Sequence, residues 1–224
     1  MAPPLAIVAG SGPGLGQSLV SAFGQSGYTA IGLNRSVTKY ATDILPVDLS
    51  DPVVTAATLR DLIRVHGAPK LVVHNTAKLH IVPFADTSTA DFEALWRAMV
   101  LSAVNLAQGV LPAMAEAGGG TFIVTGATAS LRGGKGFAAF ASAKAALRAL
   151  TQSIAREYGP KGIHVVHVIL DGIVDTHASR ELHAMNPDRM MQPNDIAEIY
   201  LAIARQPKST WTHEFDLRPM GEAF

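Results

Sequence analysis

The run Gly10-Ser11-Gly12-Pro13-Gly14-Leu15-Gly16 places four glycines in seven residues, directly after the apolar stretch Leu5-Ala6-Ile7-Val8-Ala9. Glycine lets a main chain turn tightly and approach a bulky anion with no Cβ in the way. Behind the turn, Leu15, Leu19, Ala22 and Phe23 recur at helical spacing. The free N–H groups and positive dipole end of that helix face the same anion. A strand, a glycine turn and a helix in this order form a site for the pyrophosphate of a dinucleotide. The backbone and side chains expected there are Gly10, Ser11, Gly12, Gly14, Leu15 and Gly16. A carboxylate about 20 residues beyond the glycines selects NAD by binding the ribose 2′-OH. Here the second strand ends in Asn34-Arg35-Ser36 instead. Arg35 suits a 2′-phosphate through fork-shaped, charge-assisted contacts, with Asn34 and Ser36 adding neutral hydrogen bonds. NADP(H) is therefore the expected cofactor, ahead of NAD(H).

These residues need a sheet to hold them, and the hydrophobic pattern supplies one. Short β-rich runs predict strands at Leu5–Ala9, Thr29–Leu33, Ile44–Val47, Leu71–His74, Thr121–Thr125, Val165–Leu170 and Thr212–Leu217. Amphipathic stretches predict helices at Leu15–Gln25, Val53–His66, Asp91–Ala115, Ala138–Tyr158 and Asn194–Arg205. Strand and helix alternation of this kind builds right-handed βαβ units and a parallel sheet. The expected fold is α/β, a Rossmann-type doubly wound, seven-stranded parallel sheet with helices on both faces. One domain over residues 1–224 is expected, since neither repeats nor linkers interrupt the chain.

Composition narrows the partners. The 224 residues are 48% hydrophobic and 16% charged, suiting a sheet buried on both faces. Eighteen basic and 18 acidic side chains cancel, and no basic run points to nucleic acid. Cysteine is absent, which excludes disulfides, thiolate metal sites and cysteine nucleophiles. The eight histidines show no metal-ligand spacing, so no metal is expected. No leader-like start or bilayer-length apolar segment is evident, and a soluble cytoplasmic protein is expected.

Together these residues resemble the short-chain dehydrogenase/reductase family over essentially the whole chain. Asp48-Leu49 after the third strand looks like the family's adenine-contacting Asp, and His74-Asn75-Thr76-Ala77 resembles its Asn-Asn-Ala-Gly element. Lys144 sits where the lysine of Tyr-x-x-x-Lys belongs, and Asp171-Gly172-Ile173-Val174-Asp175-Thr176 resembles the segment that holds the nicotinamide carboxamide. The resemblance adds Asp48, Leu49, Asn75, Thr76, Ala77, Lys144, Gly172, Ile173 and Thr176 to the cofactor contacts. It also implies a homodimer or homotetramer, paired through the two long helices.

The centre of that resemblance is altered. The family uses a Tyr as general acid/base, a Ser to hold the carbonyl oxygen, a Lys to bind ribose and tune the Tyr, and an Asn behind them. Four residues before Lys144 stands Phe140; Ala127 takes the Ser position and Met99 the Asn position. Phenylalanine can neither donate nor accept a proton, so the family's relay cannot run. No Tyr lies between Tyr40 and Tyr158, so no small shift restores the phenol. Thr128 and Ser130, one and three residues beyond Ala127, are candidates for the oxygen-binding group, and Lys144 completes the candidate catalytic set. Asn105 is too far along its helix to replace Met99. Ala127, Phe140 and His177 are expected in the substrate pocket. Asp171, which replaces the family's usual proline, and Asp175 could orient a cationic substrate or cap a short helix near Ala178, and structural roles are expected for both. Lys78 and His80 either line the pocket or lie in solvent. Trp96 and Trp211 suit a core or a subunit contact.

Three functions fit this pattern. One is an NADP(H)-dependent oxidoreductase with a degenerate proton relay, acting on imine or conjugated substrates that depend little on a protein acid. The second is a non-redox nucleotide-binding pseudoenzyme or regulator. The third is a non-redox isomerase or cyclase that works by folding its substrate.

Overall fold

The computed structural model describes residues 2–36 and 43–221. Seven strands form one sheet: β1 (Leu5–Ala9), β2 (Thr29–Asn34), β3 (Ile44–Pro46), β4 (Leu71–His74), β5 (Gly120–Thr125), β6 (Ile163–Leu170) and β7 (Glu214–Leu217). Their order is β3-β2-β1-β4-β5-β6-β7, and every neighbouring pair is parallel. The chain winds outward from β1 in one direction through β2 and β3, then returns to its other side with β4. The carboxyl ends of β1 and β4 therefore part at a topological switch point, where open α/β sheets bind ligands.

Alternating side chains divide the core. Leu5, Ile7 and Ala9 of β1 join the cluster covered by α2 (Pro52–His66), α4 (Ser102–Glu116) and α5 (Ala138–Tyr158). Ala6 and Val8 face the opposite cluster, under α1 (Leu15–Gln25) and α7 (Pro193–Ala204). Two smaller helices complete the set: α3 (Thr89–Trp96), and α6 (His177–His183). Helix boundaries follow sequence chemistry. Asp51 caps α2 by accepting from the Val53 and Val54 amides, and Ser88 with Asp91 forms a capping box on α3.

The helix expected over Asp91–Ala115 is not continuous. α3 and α4 are joined by a π-turn at Arg97–Leu101, which carries the buried Met99. A π-turn skips one bond of the α-helical ladder, and this one is held by Ser102 and by side chains at and just after the end of β4. The Ala98 carbonyl accepts from Thr76 Oγ1 (2.9 Å) and from Ser102 Oγ (2.7 Å). His74 Nε2 lies 2.7 Å from Thr76 Oγ1 and 2.9 Å from Ser102 Oγ. With both hydroxyl protons turned to the carbonyl, His74 supplies its Nε2–H between the two oxygens. Burial pushes its pKa down to about 3, with a further push from the Lys144 charge.

Length and hydropathy also need a correction. The span Thr89–Glu116 is 28 residues, with a mean hydropathy of 1.5 over its most apolar window, enough by those measures to cross a bilayer. Half of that window is buried inside the fold, as befits a core helix packed on its own sheet.

Candidate active site and cofactor cleft

The glycine turn is shaped by two close approaches. Gly14 has φ +98°, and a Cβ there would sit 2.5 Å from Thr176 Cγ2. A Cβ on Gly16 would sit 2.2 Å from the Gly10 carbonyl, so α1 can start hard against the turn only with glycine here. Gly12 is different: a Cβ would meet nothing nearer than Asn34 Nδ2 at 3.7 Å, so its backbone opens on free space. That space is a cavity of about 450 Å³ lined by the turn, by Asn34 and Arg35 after β2, by Asp48 and Leu49, and by Asn75, Thr76 and Ala77. A backbone cradle at a helix start, an arginine at the end of β2 and an open floor at Gly12 fit a dinucleotide.

Individual residues take distinct parts. Asn75 Nδ2 donates to the Gly10 carbonyl (3.1 Å) and ties β4 to the turn. Asp48 accepts from both the amide and the hydroxyl of Ser50, which hold its carboxyl below the usual range, with Arg35 adding a smaller pull. Asn34 Nδ2 donates to the Ser36 carbonyl, tightening the loop around Arg35. Lys144, Gly172, Ile173 and Thr176 line the neighbouring cavity described below, and three expected contacts line neither. The Ser11 side chain is buried against Gly32, Gly14 turns its face to Thr176, and Ser36 is exposed beyond the rim. Asn105 donates to the Leu49 carbonyl (2.9 Å), a brace from α4 to the loop after β3.

Leu15, Asn75 and Ala77 also line a second cavity of about 550 Å³, so the two form one continuous cleft. Here the sheet ends at Thr125, and Ala127, Phe140 and Lys144 meet. Lys144 is buried, donates from Nζ to the Thr125 carbonyl (2.8 Å), and has its pKa pushed down to about 8 by burial. Its Nζ stands 5.8 Å from the centre of the Phe140 ring. Phe140 packs edge-on to Phe137, and Leu79, Ile81, Ile173 and Val174 extend the apolar wall. Among the described residues, no Asp or Glu lines this cavity, and its ionisable groups are Lys144, Arg132 and His183.

Thr128 and Ser130, paired as candidates, separate. Thr128 lines the cavity, whereas Ser130 is turned into the core and does not reach it. Ser130 Oγ lies 3.0 Å from His167 Nε2 and accepts from the Ala127 amide (3.2 Å). His167 is buried on β6, and burial, more than the nearby Lys144 charge, pushes its pKa down to about 4. The pair braces the strand end from behind.

The segment after β6 also corrects two expectations. Thr176, not Asp171 or Asp175, caps α6, accepting from the Ser179 amide. His177 turns outward, 89% exposed, and pairs with Glu181. The cleft instead receives Thr176, Ser179 and His183, which share one face of α6. That face was readable in principle from the four-residue step between Ser179 and His183. Asp175 is clamped by both Arg180 nitrogens (2.5 and 2.7 Å), which fixes α6 to the strand end and holds its carboxyl low. Lys78 lines the first cavity, and His80 lines neither. Trp211 stacks on His164 at 4.9 Å, while Trp96 is 41% exposed. Among the described residues, no group of three or more His, Cys, Asp or Glu is gathered to hold a metal ion.

The family model described as short chain dehydrogenase matches residues 4–187, and the chain belongs to that family. An uncharacterized oxidoreductase of Staphylococcus aureus strain USA300 is 22% identical over 228 residues, spanning 96% of this chain and 97% of its own. Among solved structures, a short-chain dehydrogenase from Rhodopseudomonas palustris is 32% identical, with a TM-score of 0.82 over 96% of this chain and 98% of that one. A metagenomic short-chain oxidoreductase in complex with NADP shares the fold at 23% identity, with a TM-score of 0.83 and 97% of each chain covered.

Proposed function

We propose that the chain is an NADP(H)-dependent oxidoreductase acting on iminium or conjugated substrates, which need little help from a protein acid. The observation that carries this reading is the Phe140 ring 5.8 Å from Lys144, in a cavity continuous with the glycine-turn cavity. The glycine turn, Asn75 and Lys144 would hold the dinucleotide, and Arg35 would pair with a 2′-phosphate. The NADP held by the metagenomic structural neighbour supports this choice of nucleotide. Such a cofactor supplies a hydride; the chain positions the acceptor and excludes water. A carbonyl acceptor also needs a proton at its oxygen, and Phe140 and Ala127 can give none. An iminium or a conjugated bond already contains its own electron sink, so the apolar wall is no handicap. Exposed Trp96 and Leu101 support pairing of copies through the α3–α4 side, as a homodimer or homotetramer, and a cytoplasmic setting is part of the same proposal.

The test is NADPH oxidation with purified protein against cyclic imines, enones and simple ketones. Turnover of imines or enones at least tenfold above ketones is expected; ketones as the best substrates would overturn the substrate reading. The three apolar replacements also favour a second reading, a non-redox binding protein. Saturable NADPH binding with no turnover of any class would select it.

A further inference from the structure

One feature of the cavity stands apart from the lost relay. Thr128 Oγ1 donates to Asp171 Oδ1 at 2.5 Å, and the other oxygen of Asp171 is paired with Arg218 Nη2 at 2.9 Å. Arg218 follows β7 and is held in turn by Asp216. An ion-paired carboxylate only accepts hydrogen bonds, and a threonine hydroxyl has one proton. That proton is committed to Asp171, so Thr128, which lines the cavity, keeps only hydroxyl lone pairs to offer a ligand. Asp171 and its arginine thus fix the polarity of Thr128.

We propose that Thr128 is a substrate-binding acceptor, selecting a reacting group that carries an N–H or O–H donor, with Asp171 as the positioning residue behind it. A carbonyl oxygen set against Thr128 would meet lone pairs, whereas an alcohol, amine or iminium hydrogen would be bonded. Apolar neighbours Ala127 and Phe140 offer such a donor no competing acceptor. A site built around one hydrogen bond discriminates strongly against ligands that cannot make it. The inference rests on the reading above in taking this cavity as the substrate's, and of the two substrate classes named there it selects the iminium, since a conjugated carbonyl carries no donor.

The test measures binding of cyclohexanol, cyclohexylamine and cyclohexanone by ligand-observed NMR, with and without NADP+. At least one donor ligand should bind about tenfold or more tighter than cyclohexanone, and the tighter of the two shows whether hydroxyl or amine is the natural group. Thr128→Val keeps the shape and should abolish the preference; Thr128→Ser should retain it. Asp171→Asn should weaken it, because an amide can donate to Thr128 and free its proton. Circular dichroism checks that each variant is folded. Equal binding of the three ligands, absence of binding included, overturns the proposal, as does a preference that survives Thr128→Val. A chain that binds no NADPH yet prefers the donors would sink the cofactor reading and leave this one standing.

Discussion

Replacing Phe140 by Tyr and Ala127 by Ser should install a proton donor and a hydroxyl partner in the cleft. The Phe140 ring centre is 5.8 Å from the Lys144 ammonium. At that separation a unit charge stabilises a phenolate by about 3 kcal/mol for an effective dielectric near 20. At about 1.4 kcal/mol per pKa unit this lowers the new phenol by about two units, from about 10 to about 8. Burial opposes the shift, as at the fully buried Tyr200, whose phenol is pushed well above its ordinary range. Phe140 is itself 8% exposed, but it lines the cleft beside the ammonium, whose attraction should dominate. The phenolate absorbance of the double variant, taken as a difference from the parent, should titrate near pH 8. General acid catalysis is worth roughly a hundredfold to ten-thousandfold, and ketone reduction with NADPH should rise by a factor in that range. A phenol titrating at or above its ordinary value, with no gain on ketones, would refute the placement of Phe140 and the reasoning built on it.

Other outcomes follow from the same geometry. Arg35→Ala should weaken NADPH binding about tenfold to a hundredfold and leave NADH nearly unchanged, read by fluorescence titration; equal losses for both would remove the 2′-phosphate role. Gly16→Ala would drive a methyl onto the Gly10 carbonyl, costing about 1–3 kcal/mol, and should lower both the melting temperature and cofactor affinity. His74 and His167 are held neutral in the fold, whereas the unfolded chain takes up protons below about pH 6.5. Stability should therefore be full above that pH and fall towards pH 4 by about 1.4 kcal/mol per pH unit for each histidine. Urea midpoints that stay flat from pH 6.5 to 4 would contradict this.

The parts of this molecule set by local pattern were legible in the chain. The apolar run Leu5–Ala9 and the helical step of Leu15, Leu19 and Phe23 are short-range signals, and β1, the turn and α1 stand where they place them. What stayed hidden depends on partners distant in sequence. Ser130 turns away from the cleft because of His167, and Thr128 is polarised by Asp171, 43 residues later. The π-turn needed Thr76, just beyond β4 and braced by His74, to hold the Ala98 carbonyl. His177 and His183 are separated only by which face of a seven-residue helix meets the cleft: the four-residue step from Ser179 to His183 marks a face, but nothing local says that this face is the one turned to the cleft.

The most direct test of the central claim is a fluorescence titration of the purified chain with NADPH and, in parallel, NADH. Saturation by NADPH, at least tenfold tighter than by NADH, is the result that a glycine cradle beside Arg35 requires. A flat NADPH trace from folded protein would contradict it.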